Sequence, residues 1–159
     1  MNIRPAIAAD VPTILHFIRS LADYERLRHE VVATEAALMA TLFGPHPYAE
    51  VLLAEIDGAA IGFALFFHSY STFLAKPGIH LEDLFIAPEH RGCGYGKALL
   101  SRLAAITVER DCGRLEWSVL DWNTPAIDFY KALGAEPMAD WTTFRLTGAA
   151  LEAMIPTNL

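Results

Sequence analysis

A mixed α/β fold is what this 159-residue chain predicts, and three observations carry the prediction. Apolar residues recur with the strand period in some segments and the helix period in others, and the two kinds interleave along the chain. Asp57-Gly58 separates two apolar runs, the strongest short hairpin signal available to a sequence. An apolar strand ending near Ala87 passes through Pro88 into a loop holding Gly92, Gly94 and Gly96, and a helix begins right after them.

The elements follow in order. Asn2 to Pro5 reads as a short strand. Asp10 suits an N-cap, with Pro12 in the first turn, for a helix running to about His29; Val11, Ile14, Leu15, Ile18, Leu21 and Ala22 keep helical spacing. Thr34 with Glu35 opens a shorter helix through Leu42, stopped by Gly44-Pro45. Glu50 to Ile56 and Ala59 to Phe67 are the two strands of the hairpin, and a loop containing Pro77-Gly78 leads to a strand from His80 to Ala87. Ala98 to about Asp111 is helical, with Leu99, Leu100, Leu103 and Ile106 on the core side. Leu115 to Leu120 is a strand. Asn123 and Pro125 supply the cap and first turn of a helix to Ala132, which Gly134 ends in the left-handed conformation. Thr142 to Leu146 reads as a further strand and Ala149 to Met154 as a terminal helical turn. No linker, repeat or low-complexity stretch interrupts this order, so residues 1–159 are expected to form a single domain.

Composition narrows the function classes. With 53% hydrophobic and 19% charged residues the chain is not of the disordered type. Its longest apolar runs fall far short of the roughly 20 residues of a membrane span, and Met-Asn-Ile-Arg-Pro lacks a signal core. A cytoplasmic protein without membrane contact is therefore expected. A formal charge of −7 argues against a nucleic-acid partner and suits a cationic small molecule. Cys93 and Cys112 form no CxxC pair, and the six histidines show no ligand spacing, so neither a disulfide nor a metal is expected. Nor does Cys93 have the histidine–acid partnership that a nucleophile needs.

The glycine loop is the most informative segment. Glycines let a backbone approach a ligand closely, and a helix that starts beside them turns unpaired N–H groups and a positive dipole end toward an anion. A Walker loop would need glycine at Arg91 and Ser or Thr at Ala98. A dinucleotide fingerprint starting at Gly92 would need glycine at Lys97. Neither register fits, which leaves Arg91-x-x-Gly94-x-Gly96 after a strand. Just upstream, Glu82 and Asp83 are adjacent carboxylates in an apolar strand. Strand alternation would point them to opposite faces, and each needs a partner or a solvated cleft.

The glycine pattern resembles that of the GNAT acyltransferases, and the resemblance covers nearly the whole chain, from Ile3-Arg4-Pro5-Ala6 to Phe144. Within that superfamily the chain is most similar to the diamine (spermidine/spermine) and thialysine acetyltransferase branch. Five blocks carry this closer match: Leu21-Ala22-Asp23-Tyr24-Glu25, Leu81 through Ile86, Arg91-Gly92 through Gly96, Val119-Leu120-Asp121-Trp122-Asn123, and Asp128 through Ala135.

The resemblance implies the GNAT fold, a mixed and mostly antiparallel twisted sheet with flanking helices and a splayed pair of central strands. It implies that acetyl-coenzyme A lays its pantetheine arm in the splay, against backbone of Leu84, Phe85 and Ile86. Its pyrophosphate would rest on Arg91, Gly92, Cys93, Gly94, Tyr95, Gly96 and Lys97, while Asn123 contacts the pantetheine or simply caps its helix. Tyr130 matches the tyrosine that protonates the departing thiolate, and Glu82 the base that deprotonates the amine through a water, with Asp83 as the alternative. Tyr24, Glu25, Glu82, Asp83, Asp140 and Trp141 would line the amine pocket, and a homodimer is implied.

The chain departs from the polyamine pattern after Tyr24. Where those enzymes carry acidic residues it has Arg26-Leu27-Arg28-His29, with only Glu25 and Glu30. Basic groups there repel spermidine and welcome a carboxylate, which favours a lysine-like amino acid or another small amine over a long polyamine. A peptide or protein N-acetyltransferase, or an acyl-coenzyme A sensor without turnover, remain the alternatives.

Overall fold

A computed structural model of the chain describes residues 1–156. By internal contacts it forms two compact units, Met1–Ser118 and the remainder from Val119.

The first unit holds a five-stranded sheet in the order β1-β2-β3-β4-β5. The strands are β1 (Asn2–Pro5), β2 (Glu50–Ile56), β3 (Ala59–Ser71), β4 (Lys76–Ile86) and β5 (Leu115–Trp117). The first three pairings are antiparallel and the last, β4 with β5, is parallel. Helices α1 (Val11–Tyr24), α2 (Glu35–Leu42) and α3 (Tyr95–Glu109) accompany it. The mixed, mostly antiparallel sheet with flanking helices is thus present.

Alternation sorts the strand residues between two cores. Val51, Leu53, Phe63 and Phe85 join Ile14, Phe17 and Leu38 of α1 and α2 in one buried cluster, in which Phe17 stacks on Phe63 at 5.8 Å. Leu99, Leu103 and Ile106 bury the apolar side of α3, which touches β2, β4 and β5. At the centre of the sheet β3 and β4 approach closely at Gly62. A Cβ there would strike the carbonyl oxygen of Phe85 and stand 2.6 Å from Cδ1 of Ile86.

Asp57 and Gly58 both have positive φ, 50° and 80°, the two-residue turn expected of the hairpin. Its second strand runs further than expected, to Ser71, and β4 begins at Lys76, so Pro77-Gly78 lies inside a strand rather than in a loop. The reason is directional. The Pro77 carbonyl accepts from Gly113 N–H on the side away from β3, so the N–H that proline lacks is not one the β3 ladder requires.

Helix α1 ends at Tyr24, not near His29. Arg26 takes φ 63°, Leu27 N–H bonds the Ala22 carbonyl and Arg26 N–H that of Asp23. This is a Schellman stop with arginine where glycine is usual; a 3-10 turn, Arg28–Glu30, follows. At the other end Asp10 precedes the helix but makes no side-chain cap. Its carboxylate instead accepts from both terminal nitrogens of Arg4, at 2.7 and 2.9 Å, and from Ile7 N–H. Helix α3 starts three residues earlier than expected, at Tyr95, because Gly94 serves as N-cap.

The second unit contains α4 (Thr124–Ala132), capped by the side chain of Asn123, and a short α5 (Gly148–Glu152). Two strand expectations are corrected. β5 stops at Trp117 rather than Leu120, and Thr142 to Leu146 forms no strand. A strand requires a ladder neighbour, and the second unit has none among its described residues. Phe144 is accordingly 92% exposed.

The left-handed Arg26 generates a prediction for stability. Releasing an L side chain from this conformation should raise it, so Arg26→Gly should gain about 0.5–1 kcal/mol in urea unfolding. A loss in the variant would contradict this account of the helix end.

Candidate active site

The site begins with an irregularity in β4. Asp83 pairs with Leu65 but Leu81 with Phe66, so the ladder shifts by one residue and Glu82 is the extra one. Backbone directions agree. Ile79 N–H donates to Arg114 on the β5 side, whereas Ala87 N–H donates to Ile61 on the β3 side. Two residues of equal parity can face opposite edges only if one residue is inserted between them.

Beyond the bulge, Leu84 and Ile86 therefore turn their backbone groups away from β3, while Phe85 faces it. Pairing with β5 has already ended, at Leu81 with Trp117. Leu84 and Ile86 thus offer a stretch of strand edge with no ladder neighbour among the described residues of this unit, where only the Ile86 carbonyl is engaged, by Arg91 Nε; this is the geometry an extended ligand needs for β-augmentation.

The bulge also gathers the carboxylates. Glu82 and Asp83 do not act on opposite faces: two residues opposite one partner bring neighbouring side chains toward the same side. Glu82 is exposed, 3.7 Å from His80 Nε2. Asp83 is largely buried, and burial, with the charges of Glu82 and then Glu25, pushes its carboxyl up to about 6. Glu25, directly after α1, is raised by burial as well. Three carboxylates thus share one negative field at the end of α1, suited to an ammonium ion.

The glycine loop follows at once. Gly92 and Gly94 take φ 78° and 83°, and a Cβ on either would meet nothing within 4 Å; at Gly96 it would meet only Ile86, at 3.9 Å. The first intrahelical bond of α3 runs from Ala98 N–H to Gly94, so the N–H groups of Tyr95, Gly96 and Lys97 precede the ladder. Open glycine backbone at the N-terminus of a fifteen-residue helix fits an anionic pyrophosphate.

Cys93 and Lys97 are exposed beside it, whereas Arg102 pairs with Glu109 at 2.8 Å and does not join a basic cluster at the loop. Arg91 turns its side chain inward: Nε donates to the Ile86 carbonyl at 2.9 Å and the guanidinium lies over the Tyr24 ring. That stacking carries no sequence signal, because Tyr24 and Arg91 are remote in the chain. The bulge does have one, two consecutive acids interrupting an apolar strand.

In the second unit, Asn123 is buried and its Oδ1 accepts from Ala126 N–H at 3.4 Å, the capping role. Tyr130 is half-buried on α4, its ring 5.4 Å from that of Phe129. Asp140 and Trp141 are exposed. Among the described residues no cluster of three or more His, Cys, Asp or Glu could hold a metal ion, and no helix is long and apolar enough to cross a membrane.

Comparison with known proteins agrees with this geometry. The model of the acetyltransferase (GNAT) family matches residues 15–135. Thialysine N-epsilon-acetyltransferase of Bos taurus is 39% identical over 163 residues, covering 96% of this chain and 95% of its own. L-ornithine N5-acetyltransferase NATA1 of Arabidopsis thaliana is 36% identical over 203, covering 99% and 89%. Among solved structures, an integron cassette protein from the mobile metagenome of V. cholerae superposes with a TM-score of 0.80 at 25% identity, over 96% of both chains.

Asp83 makes stability depend on pH. Its folded-state pKa of about 6 exceeds the ordinary 3.8, so the folded chain holds this proton more tightly than the unfolded one. Stability then falls as pH rises through that window and stays lowered above it. Asp83→Asn should therefore stabilise at pH 8, by on the order of 1–3 kcal/mol, and lose that advantage near pH 4. Equal unfolding free energies of the two proteins at pH 8 would rule out a strained Asp83.

Proposed function

The chain belongs to the GNAT acetyltransferase family, and on that footing we propose that it moves an acetyl group from acetyl-coenzyme A to a primary amine of a small molecule, directly, in a ternary complex. The acceptor is a lysine-like amino acid or a small diamine. The observation that carries this reading is the carboxylate group of Glu25, Glu82 and Asp83 placed between the end of α1 and the glycine loop. We treat residues 1–159 as one catalytic domain, because the family match at 15–135 runs across both units.

Acetyl-coenzyme A supplies an acyl group already activated as a thioester. Gly92 to Lys97 would hold its pyrophosphate with backbone N–H groups, and Leu84 and Ile86 would pair with the extended arm. Glu82 and Asp83 form the deprotonating device. Glu82, exposed, can bond the water that takes the ammonium proton. Asp83, tuned to about 6, is ionised at neutral pH yet close enough to it to accept a proton. Tyr130 carries the complementary role by resemblance: its hydroxyl donates a proton to the leaving sulfur, whose thiol has an ordinary pKa near 8.5.

The preference for an amino acid rests on the basic residues after Tyr24. Arg28 is occupied, 2.8 Å from Asp23 and bonded to the Arg19 carbonyl, and His29 lies 3.2 Å from Glu30. Arg26, by contrast, is exposed and forms no ion pair among the described residues. It can receive a substrate carboxylate while the acids receive the amine. The bovine and plant relatives are named for amino-acid acceptors, which supports the same choice. A homodimer belongs to the proposal on resemblance alone, and a cytoplasmic location on the sequence expectation alone.

Tyr130→Phe should lower kcat by roughly 10²–10⁴ with coenzyme A affinity nearly kept, and a wild-type rate would remove Tyr130 from the chemistry. The pH profile of kcat/KM should rise through an inflection near 6. Asp83→Asn should abolish that limb, and Glu82→Gln should move it to lower pH, since a neighbouring negative charge is gone. A profile unchanged in both variants would exclude the pair. In a panel of thialysine, lysine, ornithine, putrescine and spermidine, Arg26→Gly should lose rate on the amino acids and not on the diamine. Absence of free-thiol release with every amine, despite coenzyme A binding, would favour a sensor module instead.

A further inference from the structure

Arg91 is docked on three groups at once. Its guanidinium carbon lies 4.7 Å from the centre of the Tyr24 ring and 5.5 Å from that of Phe85, and its Nε donates to the Ile86 carbonyl at 2.9 Å. Phe85 is buried in the core beneath α1, and Ile86 is the last residue of β4. Tyr24, the last residue of α1, covers the planar cation with an aromatic face. From this arrangement we infer that Tyr24 is a positioning residue for the cofactor loop, rather than a residue of the amine pocket alone.

The physical reason is the softness of the loop that follows. Gly92 and Gly94 both sit at positive φ with open space where a side chain would be, and a glycine backbone has more conformations open to it than that of any other residue. Freedom of that kind has to be given up when a pyrophosphate is bound. Arg91 immediately precedes the glycines and is pinned at both ends: its Nε by a strand carbonyl, its plane by the Tyr24 face. Stacking on an aromatic ring suits guanidinium because it is planar and weakly hydrated. The clamp keeps the start of the loop in one place before any ligand arrives. It also puts the donor loop in contact with the helix end whose next residue, Glu25, acts on Asp83.

This inference rests on the reading that the loop binds coenzyme A, and the test separates the two. Coenzyme A is titrated calorimetrically with no amine present, so that a role confined to the amine pocket leaves the result unmoved. Tyr24→Leu should raise Kd about three- to tenfold, whereas Tyr24→Phe, which keeps the ring face, should change it less than about twofold. Tyr24→Gln, a second variant without a ring that suits a helix end, should behave as the leucine variant does. In the Arg91→Ala background, Tyr24→Leu should add nothing further, because the effect runs through the arginine. Wild-type affinity in both ringless variants, or a loss that adds in full to that of Arg91→Ala, overturns the inference and leaves the loop reading standing. Failure of the unaltered protein to bind coenzyme A removes both.

Discussion

The rest of the site depends on one extra residue in β4. Without the bulge, that is with Glu82 in a regular place in the ladder, Ile79 and Ala87 would face the same edge, and the groups of Leu84 and Ile86 would be spent on β3. With it, the first half of the strand bonds β5 and the second half shows its edge. The same insertion turns Phe85 toward the α1 core, where its ring supports Arg91. Gly62 then allows β3 to lie against this altered segment, since no Cβ fits over the Phe85 carbonyl. Strand edge, carboxylates and loop anchor are three consequences of a single register shift.

The electrostatics follow from that crowding. A chain of net charge −7 has long-range attraction for cations, but the useful field is local. Burial, and then the charges of Glu82 and Glu25, oppose the ionisation of Asp83. On the proposed reading, an arriving ammonium ion would relieve that repulsion. At the opposite pole, the glycine loop has backbone dipoles and no cluster of lysines. On the proposed reading, donor and acceptor would therefore be met by different means, neutral N–H groups for the phosphate and full charges for the amine.

Much of the frame was legible in the residues because local chemistry dictated it. Asp57-Gly58 can hardly do anything but turn, Thr34 caps α2 by accepting from Ala37 N–H, and Asn123 caps α4 in the same manner. The glycine loop declared itself by spacing. What escaped was set by partners distant in sequence. The bulge lies in the pairing of β4 with β3, which no single strand reveals. The stop at Tyr24 hinges on Arg26 in a conformation arginine rarely takes. The missing strand at Thr142 to Leu146 shows the converse: alternation was present, and no strand among the described residues of its unit pairs with it.

The bulge has an evolutionary consequence as well. On the proposed reading, the strand backbone just beyond it serves the donor, common to every reaction of this kind, while the side chains it displays at 82 and 83 serve the acceptor. Backbone geometry is insensitive to which side chain a bulge carries, provided it is not proline. Substitutions at Arg26, which the proposal places outside the deprotonating pair, would therefore retune the choice of amine without disturbing the grip on the cofactor. A lineage built on this strand would keep its donor half, the backbone of Leu84 and Ile86, fixed while residues around it change its substrate in small, viable steps.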